Sequence, residues 1–214
     1  MKFLISLCIL LAVFYQALGG KVHGNEFFDE LLDELRDADD IRVMTLDDLT
    51  IGFSRKVALL TVHGEAKLYD GTVTGLDTAE RIDDAQIITR KDGSVVIRCT
   101  LGMGVIIFNY KGTVSFMGLG PSISMLTHTG YVTVKAEVQR AANGTVKVTE
   151  FNVRDFEKLK VKFTGLGPLT WATSLLIAPA VNILTPIIRR TVEYGVRTVV
   201  EKKLPDIIKD FSFE

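Results

Sequence analysis

The chain has 214 residues, 47% hydrophobic and 24% charged, with a formal net charge of −1. That composition excludes a disordered or fibrous chain, and the length is enough to bury a core without cross-links. The balanced charge gives no whole-molecule attraction to nucleic acid.

The first residues read as a secretory signal. Lys2 precedes the apolar run Phe3 to Phe14, and Ala17-Leu18-Gly19 supplies small residues for cleavage. The run is short for a bilayer core of about 30 Å. The expected organisation is a signal peptide over 1–19, then one lipid-binding-type domain over 20–214, secreted from the cell. Removal of Lys2 leaves 24 basic against 26 acidic residues, a net charge of −2. Cys8 leaves with the signal, so Cys99 stands alone and no intrachain disulfide can form. A buried small hydrophobe is its commoner role, with a reactive thiol or a dimer link as alternatives.

Residues 25–40 predict an amphipathic helix. Phe27, Phe28, Leu31, Leu32 and Leu35 share one face, acids take the other, and Asn25 is placed to cap the start. Residues 41–54 carry no clear period. From about Lys56 to Phe163 the period is two. Val95, Ile97, Cys99 and Leu101 alternate with Val96, Arg98 and Thr100; Val132, Val134, Ala136 and Val138 alternate with Thr133, Lys135 and Glu137. Val146 and Val148 share a parity that Phe151 and Val153 break, which predicts a bulge near Thr149 or Glu150. Asp70-Gly71, Asp92-Gly93 and Asn143-Gly144 mark turns, the last as a type I′ hairpin. Asn143-Gly144-Thr145 is also an N-glycosylation sequon, so the chain is expected to be a glycoprotein with Asn143 at a loop tip. Two strands run into Gly-Leu-Gly-Pro, at 118–121 and 165–168, and read as similar corners.

After Pro168 the pattern turns helical to about Ile208, with Pro179 and Pro186 expected to kink or split it. Phe163 to Ile188 contains no charged residue, and Arg189-Arg190 follow. By hydropathy this is a transmembrane candidate with a stop-transfer signal. Against that, Asn182, Pro179, Pro186 and several threonines would sit poorly in lipid, and the apolar stripe continues past the arginines through Val192, Val196, Val199 and Val200. A sheet with one dry face also needs a cover, and a helix apolar all round suits the inside of a wrapped sheet. The predicted fold is therefore α+β: a curled antiparallel β-sheet around a long hydrophobic C-terminal helix, with a short N-terminal amphipathic helix.

Such an arrangement leaves an elongated apolar groove between surfaces of different curvature. Its expected ligand-lining residues are Val95, Ile97 and Leu101 on the sheet and Leu176, Ala180, Leu184 and Ile188 on the helix, with Phe28 and Leu31 closing one end. Lys158, Lys160 and Lys162 would share the wet face of one strand and meet an anionic headgroup, or serve as edge protection. His23, His63 and His128 lack metal-ligand spacing, and no nucleophile elbow, zinc helix or phosphate loop occurs. The sequence calls for no enzyme, no cofactor, no metal and no nucleic-acid partner. It calls for a secreted carrier of a lipid or other hydrophobic small molecule. The alternatives are a type I membrane protein and an extracellular interaction protein with no ligand cavity.

Gly64-Glu65, Val73-Thr74-Gly75-Leu76, Asp92-Gly93 leading into 95–110, Thr149 to Phe156, and the apolar helix ending Leu204-Pro205 resemble the group 7 mite allergens. That resemblance implies one arm of the fold of bactericidal permeability-increasing proteins, with weak binding of lipids or bacterial lipopeptides and no catalytic residues. Juvenile-hormone-binding and takeout carriers are similar in fold, but they typically hold a disulfide near the N-terminus that this chain cannot form.

Overall fold

The computed structural model describes residues 24–210, with side chains through 207; the expected signal peptide, 1–19, lies outside the described residues. Helix α1 covers 24–36 and buries Phe27, Phe28, Leu31, Leu32 and Leu35, the face its periodicity picks out. Asn25 does not cap it, because the helix already includes residue 24. Its side chain instead pins α1 to a loop, accepting from the Ala85 amide at 2.7 Å and donating to Asp84 at 3.1 Å. A one-turn helix, α2 (Asp39–Arg42), follows.

Eleven strands follow among the described residues: β1 (Met44–Leu46), β2 (Leu49–Val57), β3 (Leu60–Thr74), β4 (Glu80–Arg81), β5 (Gln86–Thr89), β6 (Val95–Met103), β7 (Ile107–Ser115), β8 (Ser122–His128), β9 (Val132–Arg140), β10 (Val146–Phe156) and β11 (Lys160–Thr164). All pair antiparallel, in two sheets. The first runs β1-β3-β7-β8-β11 with β2 also on β3; the second runs β10-β9-β6-β4 with β5 also on β6. The alternation assigned to β6 and β9 is observed in part: Ile97 lies opposite Val138, Cys99 opposite Ala136 and Leu101 opposite Val134 on the dry face, but Val96 and Glu137, assigned to the other face, are buried as well.

Several local expectations change. Residues 41–54 hold β1 and much of β2, where Ile51 and Phe53 are buried. Asp70-Gly71 is no hairpin turn but an irregularity inside β3, with Asp70 at φ 50° and the register shifting between Tyr69 and Thr72. A Cβ on Gly71 would lie 2.4 Å from the Tyr110 ring, so glycine is there to admit that ring. The Asn143-Gly144 loop is a hairpin, but only Gly144 has positive φ, at 83°, so it is not type I′. Asn143 is exposed at its tip. The expected bulge in β10 falls between Val148 and Glu150, and a second lies between Val153 and Asp155. The two Gly-Leu-Gly-Pro corners differ: the first closes the β7–β8 hairpin, the second leads from β11 into a 3₁₀ turn, Gly167–Ala172.

That turn opens the long helix. Helix α3 (Thr173–Arg190), a π-turn (Thr191–Val196) and α4 (Arg197–Asp210) continue one another. Pro179 and Pro186 sit inside α3 without splitting it; the irregularity comes later, at the π-turn. Leu176, Ala180, Leu184 and Ile188 are buried at four-residue steps. Each step overshoots a helical turn by about 40°, so the buried stripe winds about the axis. The winding matches the packing: α3 meets β2 and β11, opposite edges of the first sheet, while the π-turn and α4 meet β10 of the second. The first sheet thus curls around α3, as the sequence predicts. It does not close over it, and Ser174, Ile177, Ala178, Asn182 and Pro186 face outward. The expectation of a helix enclosed on every side is corrected to one gripped along a spiral stripe.

The edge of β10 is finished by this helix. Arg189 donates to the Val153 carbonyl at 2.6 Å, Glu193 accepts from the Val153 amide at 3.0 Å, and Arg197 donates to the Val148 carbonyl at 3.0 Å. These backbone groups lie at the two bulges, where the strand ladder leaves them free.

Candidate functional site at the first end of the roll

The residues expected to line a groove are all interior. Phe28, Leu31, Ile97, Leu101, Leu176, Ala180, Leu184 and Ile188 belong to one continuous apolar cluster, each 2% exposed or less. Val95 is buried but stands outside that cluster, at the start of β6. Val95 apart, they belong to the core that the helices and the two sheets share. Of the three lysines, Lys160 and Lys162 share the exposed face of β11; Lys158 precedes the strand but is exposed in step with them, with Leu159 and Val161 half-buried between.

Open space occurs at the ends of the long helix. At its start lies a cavity of about 670 Å³, lined by Arg55, Lys56, Val57, Phe116, Met117, Leu119, Pro168, Leu169 and Trp171. Near its other end a smaller one of about 420 Å³ is lined by Gly144, Val146, Lys147, Glu201, Leu204 and Pro205. The first is the better built. Three aromatic rings from three distant segments converge beneath it. Trp171 meets the edge of Phe116 at 5.0 Å between centroids and that of Phe53 at 6.3 Å, and Phe53 stacks on Phe116 at 5.8 Å. Gly64 makes the room, since a Cβ there would lie 2.5 Å from the Phe53 ring.

Arg55 places its guanidinium carbon 4.0 Å from the centre of the Trp171 ring. The ring fixes the cation electrostatically at the mouth of the cavity while leaving its N–H donors directed outward. Lys56, exposed on the adjoining position, adds a second positive charge. Among the described residues, no carboxylate lines this cavity. The floor is therefore apolar and aromatic and the rim cationic, which suits a molecule with an apolar body and an anionic head. Leu169 belongs both to the cavity wall and to the core cluster, so the cavity abuts the packed core.

Sequence reasoning named none of Phe53, Arg55, Phe116 and Trp171. They lie on β2, the β7–β8 turn and the 3₁₀ turn, and only the curl of the first sheet brings them together. The chain's single tryptophan was the one available signal.

Cys99 is buried on β6, its Sγ 3.5 Å from Asp83 Oδ1. Burial first, and then the Asp83 carboxylate, push its thiol far above the usual range, so it is inert and not a nucleophile. Among the described residues, no group of three or more His, Cys, Asp or Glu is arranged to hold a metal.

The group 7 allergen family profile matches residues 23–204. Mite allergen Lep d 7 of Lepidoglyphus destructor is 23% identical over 84% of this chain and 83% of its own length. Mite allergen Der p 7 of Dermatophagoides pteronyssinus is 23% identical over 78% of this chain and 77% of its own. Among solved structures, a lipopolysaccharide binding protein superposes with a TM-score of 0.56 at 16% identity; the match covers 88% of this chain but 38% of that one. The likeness in fold agrees with the curled sheet and long helix described above, and the profile spans nearly the whole described chain. The chain belongs to the group 7 allergen family.

Proposed function

We propose that this protein is an extracellular binding protein for amphiphilic lipids, and that the cavity over Phe53, Phe116 and Trp171 receives the ligand. The observation that carries the reading is the combination, at one opening beside the apolar core, of an aromatic floor and a cationic rim. An anionic headgroup pairs with Arg55 and Lys56, and the chain lies on the rings. A longer chain extends toward Leu176, Ala180, Leu184 and Ile188, and this is the role proposed for those core residues. Each buried CH₂ contributes about 0.8 kcal/mol, so a chain of about ten carbons binds measurably after ordering costs. The fold neighbour is named for binding lipopolysaccharide, which is in keeping with a lipid ligand here. Bacterial lipids and lipopeptides are thus part of the proposed range. Among the described residues the cavity lining holds no Ser, Thr, Cys, His, Asp or Glu, and the role proposed is carriage or recognition.

Trp171 is the chain's only tryptophan and lines the cavity, so intrinsic fluorescence reports occupancy directly. Titration with fatty acids and lysophospholipids is expected to shift its emission saturably, and native mass spectra of the purified protein to show bound lipid. Arg55→Ala is expected to weaken anionic ligands about tenfold and uncharged ones little. No saturable shift with any lipid class, and no co-purified lipid, would sink the proposal.

A further inference from the structure

The end of the roll that carries the cavity also carries an anomaly of turn chemistry. The β2–β3 hairpin closes through Ala58 and Leu59, between the paired residues Val57 and Leu60. Ala58 is held at φ 56°, a conformation that ordinarily selects glycine at that position. The β7–β8 hairpin closes through Met117 and Gly118 at φ 50° and 80°, a type I′ geometry that favours Asn-Gly. Leu59 is fully exposed, Leu60 is 73% exposed and Met117 63%. Polar turn residues would suit both water and backbone at these places. Apolar ones are disfavoured on both counts, and departures of this kind from local rules mark functional sites. The two turns are neighbours in space, since Val57, Met117 and Leu119 share the wall of one cavity.

Charge is distributed to match. The stretches 49–64, 93–136 and 158–192 contain no Asp or Glu. These stretches supply both hairpin turns, β11 and the start of the long helix. They place Arg55 and Lys56 beside the apolar turns, and Lys160 and Lys162 on the exposed face of β11. The carboxylates of α1 lie elsewhere, where Asp29 pairs with Arg81 and Glu34 with Lys203 on α4. This end of the sheet thus presents projecting aliphatic side chains with Arg55 and Lys56 beside them; Lys160 and Lys162 lie toward the other end, level with Ile107 and Asn109, and the carboxylate next along these strands, Glu65 opposite Ser115, is paired with Lys67.

We infer that the Ala58-Leu59 and Met117-Gly118 turns form a docking edge that inserts into anionic phospholipid membranes, with Arg55 and Lys56 meeting the headgroups. Aliphatic tips enter the acyl boundary, and basic side chains stay at headgroup level, the division of labour that interfacial anchoring requires. The inference rests on the carrier reading and deepens it by placing the ligand's entrance at the membrane; it shares Arg55, Lys56 and Met117 with that reading, while Leu59 and Leu60 belong to the docking edge alone.

Sedimentation with vesicles tests it. The full mature chain is expected to bind phosphatidylcholine vesicles containing phosphatidylglycerol at least tenfold more strongly than pure phosphatidylcholine ones, with affinity falling as salt rises. Leu59→Ser with Leu60→Ser is expected to cut that binding tenfold or more. Neither leucine lines the cavity, so Trp171 titration with a soluble lysophospholipid, without vesicles, is expected to be unchanged and also reports a folded protein. No binding to anionic vesicles, or equal binding by the double variant, overturns the inference while leaving the carrier reading intact. Vesicle binding without any lysophospholipid signal sinks the carrier reading and keeps the docking edge. Self-association abolished by the double variant, with no vesicle binding, assigns the edge to a second copy and overturns the inference.

Discussion

Leu184→Ala asks whether the seam between helix and sheets is filled by its own side chains. Leu184 is fully buried on α3 in the middle of the spiral stripe. The substitution removes three carbons, a transfer loss of about 2.4 kcal/mol at about 0.8 kcal/mol per CH₂. Neighbours on a continuous α-helix and a paired sheet collapse only partly, so a cavity term raises the cost to about 3–5 kcal/mol. For a domain of this size each kcal/mol moves Tm by about 2–4 °C, giving a fall of about 6–20 °C. Urea unfolding followed by far-UV circular dichroism measures the loss, with an unchanged m-value as the sign that only stability moved. A loss below about 1 kcal/mol would refute the reasoning. It would mean that Leu184 already borders unfilled space, and that the ligand site extends along the seam in the empty protein.

Three further outcomes follow from the geometry. Gly71→Ala drives a Cβ against the Tyr110 ring and is expected to destabilise by about 1–3 kcal/mol, read by the same unfolding curves. Burial, and then Asp47 and Asp48, push the Tyr110 phenol up to about 12. The folded state therefore favours the neutral phenol: its contribution is complete below about pH 10 and fades as pH climbs through about 12, and Tyr110→Phe is expected to flatten that alkaline decline in stability. The Cys99 thiol is expected to resist a maleimide in the native protein and to react only as fast as the chain opens; prompt native labelling would contradict its burial against Asp83.

Much of the fold is legible in sequence because burial there is periodic. The five apolar residues of α1, the alternation in β6 and β9, and the parity break before Phe151 each follow from one face being dry. What escapes is set by non-local contact. Asp70-Gly71 carries turn chemistry, yet the chain goes straight on, because Gly71 answers to the Tyr110 ring across the sheet and not to its neighbours in sequence. Leu49, Ile51 and Phe53 alternate, but Gly52 and the charges that follow dilute the pattern. The candidate site is the least visible part. Phe53, Phe116 and Trp171 come from segments separated by more than fifty residues each, and no local period records their meeting.

The uncharged run from Phe163 to Ile188 takes its sense from what lies beyond it. By length and hydropathy the helix Gly167–Ile207 could cross a membrane. A stop-transfer arginine would have only headgroups to meet. Arg189 instead holds the Val153 carbonyl and pairs with Glu193, which itself receives the Val153 amide. Those contacts satisfy an edge strand at a bulge, and they form only when the helix lies against its own second sheet. The buried residues of α3 point the same way, following the spiral path along which the first sheet grips them. What the run leaves exposed is a face carrying Ile177, Ala178 and Asn182, continuous with the carboxylate-free end at Trp171. An uncharged flank leading back from a basic, aliphatic edge is what a protein needs to lean on a lipid surface without crossing it. Replacing Ala178 by Glu on that exposed flank is accordingly expected to spare folding and to weaken vesicle binding, and unchanged binding would confine membrane contact to the turns.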